Sequence, residues 1–161
     1  MLLLYRKKCK YTSMSAYAEN RKARFEFEIL ETFEAGIELL GLEVKAVKTH
    51  KMNLEGSYIF PRHSELYLVG ATIAPYQPNN TPKEYEPTRD RKLLLHKKEL
   101  NYLIGKFSMK GLTILPLRVY NTRNVIKLEI AIARRRKKYD EREHIREREE
   151  KRKIERTLKE I

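Results

Sequence analysis

Arg134-Arg135-Arg136-Lys137-Lys138 sets five cations in a row, and Tyr139-Asp140-Glu141-Arg142 follows directly. From Arg134 to Ile161 the chain carries 13 Lys or Arg against 8 Asp or Glu, a net of +5. Such side chains break no bonds by themselves. They neutralise phosphates and release counterions, which gives salt-dependent, sequence-independent affinity. Two more clusters suit the same chemistry, Asn20-Arg21-Lys22-Ala23-Arg24 and Arg89-Asp90-Arg91-Lys92. For any single cation in them, ordinary surface charge is the plainer explanation. The whole chain of 161 residues has a net charge of +13, which points to a nucleic acid or, less often, an anionic membrane.

Catalytic constellations are missing from the pattern. The two aspartates, Asp90 and Asp140, both sit among cations, whereas a metal nuclease needs clustered carboxylates to hold magnesium or manganese. Neither GxxxxGK[ST] nor GxGxxG occurs. His50, His63, His96 and His144 lack ligand spacing, and the single Cys9 can form no intrachain disulfide. We therefore expect no enzyme activity, metal or cofactor. No apolar run approaches the ~18 residues of a membrane span. Met1-Leu2-Leu3-Leu4-Tyr5 is too short for a signal segment, and its charges follow it. A cytoplasmic monomer with no membrane partner is expected.

The elements that must carry these cations read as mainly β. Residues 1–18 suit a mobile arm, with Met14 an alternative start. Phe25-Glu26-Phe27-Glu28-Ile29 alternates as a half-buried strand, and Glu34-Ala35-Gly36 carries turn chemistry. Strands are predicted over Ile37–Val47, Ser57–Phe60 and Leu66–Ile73. Pro75 to Pro87 is an exposed loop. Leu93-Leu94-Leu95 with Leu100, Leu103 and Ile104 predicts one helix ending near Gly105. Leu112–Tyr120 and Val125–Ala133 close the fold as a hairpin around Asn121-Thr122-Arg123-Asn124. Short, evenly spaced strands with internal glycines suggest a small closed antiparallel barrel of the oligonucleotide-binding type with a few short helices; a sandwich is the alternative. The barrel would span residues 19–133. A basic tail, 134–161, would be disordered alone and would order on a polyanion, unless it is a solvated helix that merely ends the chain.

An ordered series of stretches goes beyond generic pattern. Asn20-Arg21-Lys22-Ala23-Arg24, Glu31-Thr32-Phe33-Glu34-Ala35-Gly36-Ile37 and Glu43-Val44-Lys45 come first. Asn53-Leu54 through Ser57-Tyr58, Pro87-Thr88-Arg89-Asp90-Arg91-Lys92-Leu93-Leu94-Leu95 and Lys137-Lys138-Tyr139-Asp140 follow. From about residue 15 to 161 this series closely resembles the small protein B family, the SsrA-binding proteins of bacterial trans-translation. The resemblance implies a barrel that binds the tRNA-like domain of transfer-messenger RNA. It also implies a tail that enters the ribosomal decoding centre and the empty mRNA channel as a helix.

By the same resemblance, RNA contact falls to Asn20, Glu34, Leu94 and Lys127. Arg21, Lys22, Arg24, Arg91 and Lys92 join them as cations of the two clusters. A carboxylate such as Glu34 cannot pair with phosphate; it must accept hydrogen bonds from RNA or position a neighbouring cation. The ribosome-facing set is Arg134, Arg135, Arg136, Lys137, Lys138, Tyr139, Asp140 and Arg142. There the chain departs from the family pattern, with Arg135 where glycine is usual and Glu141 where lysine is usual. Glycine at that place would suit a hinge, because it reaches positive φ without strain. The alternative reading of the whole chain is a ribosomal or other RNA-binding protein with a basic extension; a barrel nuclease is the third.

Overall fold

Gly36 does not turn the chain. In the computed structural model, which describes residues 16–136, it lies inside an eleven-residue strand. The chain opens with strand β1 (Ala16–Glu19), helix α1 (Arg21–Glu26) and the long strand β2 (Phe27–Ile37). Helix α2 (Gly41–Lys48) and the short strand β3 (Met52–Asn53) follow. Next come β4 (Tyr58–Arg62), β5 (Glu65–Val69), β6 (Thr72–Ile73), a 3-10 turn (Pro78–Asn80) and β7 (Arg91–Leu94). Helix α3 (Lys97–Phe107), β8 (Leu112–Thr122) and β9 (Val125–Arg135) complete the described residues. The fold is mainly β with three helices. Of the expected arm, 1–18, residues 16–18 belong to β1, which pairs on β8, and of the expected tail, 134–161, Arg134 and Arg135 end β9; residues 1–15 and 137–161 lie outside the described residues.

Seven strands form one antiparallel sheet in the order β1-β8-β4-β5-β7-β2-β9, and β9 pairs back onto β8. A two-stranded ladder, β3 with β6, stands apart. Alternate residues of the strands turn inward. Ile59, Leu66, Leu68, Ile114, Leu128, Ile130 and Ile132 bury their side chains with Leu103 of α3 and Ala46 and Val47 of α2. Burying a side chain of that size is worth about 1.5–3 kcal/mol. On the other face of β8 and β9, α1 seats Ala23 against Leu115 and Ala133.

Several sequence expectations are corrected. Ile37–Val47 is not one strand; β2 ends at Ile37 and α2 begins at Gly41. Glu43 Oε2 accepts the Leu40 N–H at 2.8 Å, which satisfies an otherwise orphaned helix-start donor. Glu34-Ala35-Gly36 keeps to β2 because it is paired on β9 throughout, Glu34 with Glu129, Ala35 with Leu128 and Gly36 with Lys127. The glycine serves close approach instead, since a Cβ there would stand 3.2 Å from Leu94 Cβ. Leu93 and Leu94 belong to strand β7, and α3 starts only at Lys97, running past Gly105 to Phe107. The Phe25–Ile29 alternation begins in α1 and becomes strand at Phe27. Gly70, at φ +75°, ends β5 and splits the expected Leu66–Ile73 strand in two.

The closing hairpin is as expected, with a tighter loop. Arg123 and Asn124 both take left-handed φ, 49° and 64°. That is the backbone of a two-residue hairpin turn whose twist matches the flanking strands. Thr122 and Val125 therefore face each other, and the register of the pairs follows as far as Arg118 with Glu129, beyond which a bulge shifts it.

Candidate nucleic-acid interface

The hairpin register brings four strands into one row. Leu94 on β7 pairs with Gly36 on β2, Gly36 with Lys127 on β9, and Lys127 with Tyr120 on β8. Glu34 stands two residues along β2 from Gly36, on the same outward face. Its Oε1 lies 3.8 Å from Lys127 Nζ, and its Oε2 accepts the Tyr120 hydroxyl at 2.5 Å. Leu94 is 54% exposed, so it is a surface leucine and not a core one. Glu34, Leu94 and Lys127, widely separated in the chain, thus meet at one place.

A second row runs beside the first. Glu129 pairs with Glu34 across β2–β9 and with Arg118 across β8–β9. Arg118 Nε donates to Glu129 Oε2 at 2.7 Å, and Arg24 Nη2 reaches the same oxygen at 3.5 Å. The Arg118 guanidinium also lies 5.1 Å from the Tyr120 ring centroid. Arg24 of α1 is therefore tied to the Glu34 face through a buried carboxylate. Sequence reasoning passed over Tyr120, Arg118 and Glu129. Their signal was the turn at Arg123-Asn124, from which the pairs Tyr120–Lys127 and Arg118–Glu129 can be counted.

Asn20 acts beneath the surface. It is only 4% exposed. Its Oδ1 accepts the Ala23 N–H at 3.0 Å as the cap of α1, and its Nδ2 donates to Leu54 O at 3.0 Å. Both ends of the amide are used, so Asn20 fixes α1 and the side chains that α1 presents. Arg21 pairs loosely with Glu19 at 3.6 Å and Lys22 with Glu55 at 3.5 Å, both at exposed sites. Exposed pairs of this kind are worth about 0–1 kcal/mol, so a phosphate can displace the carboxylate cheaply.

Arg91 is corrected outright. It is fully buried and cannot reach a ligand on the surface. Its Nε and Nη2 donate to Glu43 Oε1 at 3.0 and 2.8 Å. Nη1 donates to Ala71 O and Arg89 O, each at 2.9 Å, and Nη2 also to Pro87 O at 2.9 Å. All five N–H donors of the fork are thereby occupied. Glu43 is as deeply buried and takes a second guanidinium, Arg89, at 2.5 Å. Burial alone would raise the Glu43 pKa; hydrogen bonds from Arg89 and the Leu40 N–H, with the charge of Arg91, outweigh it and hold the carboxyl below its usual range.

Lys92, the outward neighbour, is ion-paired with Glu65 and in register with Tyr67. Hydrogen bonds from Lys92 and Tyr67 hold the Glu65 carboxyl low, and the Glu65 bond holds the Lys92 ammonium high. Lys92 is two residues from Leu94 on the same face of β7.

Arg134 and Arg135, expected to start the tail, are the last residues of β9. They pair with Glu28 and Phe27 of β2. The Arg136 N–H then donates to Glu26 O at 3.0 Å. The position where the family pattern has glycine is thus a paired strand residue here. Lys137, Lys138, Tyr139, Asp140 and Arg142 lie outside the described residues. Among the described residues no group of three or more His, Cys, Asp or Glu is placed to hold a metal, and no helix is long and apolar enough to cross a membrane.

The family model described as "SmpB protein" matches residues 17–160. An SsrA-binding protein of Rubrobacter xylanophilus is 51% identical over 147 residues, 91% of this chain and 97% of that protein. An SsrA-binding protein of Chlorobaculum tepidum is 50% identical over 141 residues, 87% of this chain and 89% of that one. A solved structure described as "tmRNA-SmpB: a journey to the center of the bacterial ribosome" superposes with a TM-score of 0.62 at 47% identity. It covers 74% of this chain and 84% of its own.

Proposed function

Since this chain belongs to the SmpB family, we propose that it is the SsrA-binding protein of trans-translation, an adaptor that carries transfer-messenger RNA to stalled ribosomes. The observation that carries this reading is the single outward row Leu94, Gly36, Lys127 and Tyr120, with Glu34 beside it. An exposed leucine, a cation and a hydrogen-bonded carboxylate in one row suit folded RNA, which is read through unstacked bases, ribose hydroxyls and backbone together. Leu94 would pack against an unstacked base or sugar. Lys127, and with it Arg21, Lys22, Arg24 and Lys92, would meet phosphates. Asn20 serves the same interface from below, by holding α1.

The pairing ring β8-β4-β5-β7-β2-β9, closed by β9 on β8, supports reading the sheet as a closed barrel of the oligonucleotide-binding type. On this reading residues 19–133 are the RNA-binding body. Strand β1 and the end of β9 extend that body to residues 16–135, leaving 1–15 as its arm and the residues after Arg136 as a tail that probes the decoding centre and the empty mRNA channel. The body acts by binding alone, as a cytoplasmic monomer without metal or cofactor.

A gel-shift titration tests the reading. The tRNA-like domain of transfer-messenger RNA is compared with an ordinary elongator tRNA at two salt concentrations, because affinity of a +13 protein for RNA has meaning only with its salt dependence. Preference for the tRNA-like domain that persists at the higher salt, and is lost in Glu34→Ala, is the expected result. Equal, salt-labile binding to both RNAs would leave only a basic RNA-binding protein, such as a structural ribosomal protein.

A further inference from the structure

Tyr120 is buried on the outward face of the sheet, in register with Lys127, and its hydroxyl donates to Glu34 Oε2 at 2.5 Å. Arg118 lies 5.1 Å from its ring centroid. We infer that Tyr120 is the positioning residue of this interface: its hydroxyl holds one oxygen of Glu34, so that the other stays turned toward Lys127 and the RNA. The inference rests on the RNA-binding role proposed for Glu34.

Glu34 is about one-third exposed, and Lys127 Nζ is 3.8 Å from its Oε1. A glutamate side chain has three rotatable bonds and, left alone beside a lysine, closes onto it. That closure would cancel the cation and consume the acceptor at once. A phenol that does not move, because its ring is packed, prevents this by engaging Oε2. Oε1 is then held as an acceptor next to Lys127, whose ammonium remains able to bond a second group. The pair offers a donor-bearing group of RNA (a ribose hydroxyl or a base amine) and its adjacent phosphate one partner each. The design selects a ligand that has both a donor and an anion at this spacing, which a simple polyanion lacks.

Tyr120→Phe isolates the effect. Phenylalanine keeps the ring and the volume, while Glu34, partly exposed, can take a water in place of the lost donor. The thermal melt should therefore fall only slightly, and binding is measured well below it. Binding of the tRNA-like domain should weaken by roughly 3- to 30-fold, the scale of one hydrogen bond to a charged group. The slope of log affinity against log salt should fall by about one, because Lys127 is now captured by Glu34. In a Glu34→Ala background, Tyr120→Phe should change neither affinity nor slope.

The outcomes separate. If Glu34→Ala weakens binding and Tyr120→Phe does not, Tyr120 has no positioning role and the interface reading stands. If Tyr120→Phe weakens binding equally with and without Glu34, the tyrosine acts on its own and the inference falls. If Glu34→Ala itself leaves binding unchanged, the interface reading fails and takes the inference with it.

Discussion

Arg91 Nη2 lies 2.8 Å from Glu43 Oε1, 48 residues away in the chain, and neither side chain reaches solvent. The pair joins the start of α2 to the start of β7, and through Pro87 O it holds the loop that leads into β7 and through Ala71 O the junction of β5 and β6. Leu94 stands three residues beyond Arg91 on that strand. A buried ion pair thus sets the position of an exposed leucine, the one proposed to meet RNA.

Removing one partner should therefore cost far more than a surface charge. Arg91→Met leaves Glu43 buried with only Arg89 and the Leu40 N–H, and should destabilise the fold by about 3–5 kcal/mol. Arg91→Lys should recover little of it, because an ammonium cannot supply five donors in a plane. Denaturant melts of the three proteins decide this. A loss under 1 kcal/mol for Arg91→Met would refute it.

Acid should act through Glu43. Its folded pKa is below its ordinary value of 4.5, so the unfolded chain binds the proton more readily. Stability from this group is present above about pH 4.5 and is lost as pH falls through the folded value. Glu43→Gln should be less stable at neutral pH and show a shallower decline on acidification below pH 4.5, by fluorescence or circular dichroism. Equal acid slopes in both proteins would show that other carboxylates set the transition.

Gly36→Ala places a Cβ 3.2 Å from that of Leu94. The strand pairing on both sides leaves little room to relax, and overpacking of this kind costs about 1–3 kcal/mol. Leu94 should be pushed outward, so affinity for the tRNA-like domain falls together with stability. Binding equal to that of the parent protein would mean that Leu94 makes no contact.

Lys127→Ala should weaken RNA binding broadly, across both specific and nonspecific RNAs, and reduce the salt slope by about one. A loss confined to the tRNA-like domain, with no change in slope, would assign Lys127 to a base and not to a phosphate.

Asn20→Ala removes a helix cap and a buried bond to Leu54 O. The expected loss of stability is about 1–2 kcal/mol. RNA affinity, measured well below the melting point, should fall less than in Glu34→Ala, because Asn20 acts only by seating α1. The reverse order of losses would make Asn20 a direct contact.

How far the chain could be read without coordinates depended on what each residue had to satisfy. The hairpin β8–β9 was legible because alternation and a turn-forming Asn124 agree. The amphipathic run Leu100, Leu103, Ile104 of α3 was legible for the same reason. Gly36 misled because glycine serves turns and close approaches alike, and only the facing Leu94 distinguishes them. Arg91 misled because a cation in a basic cluster reads as surface; that Glu43 waits for it inside is a long-range pairing with no local signature. Ile37–Val47 misled because its apolar residues fit a strand, while the Glu43 carboxylate at Leu40 N–H makes it a helix. Glu34, Leu94 and Lys127 came from family resemblance, and the structure adds Tyr120 and Glu129, which lie opposite them across the sheet.

The order in which the ring of strands is completed has a bearing on synthesis. β2 is made early and β9 last, yet each residue from Phe27 to Gly36, apart from the bulged Leu30, has its partner on β9. Glu34 on β2 can meet Lys127 only when β9 exists, and Tyr120 finds its register from the same strand. A chain broken off before Val125 has every early cation and the glutamate but no assembled recognition face. If that face is the RNA-binding one, truncated copies of this protein are expected not to compete with whole ones for the RNA.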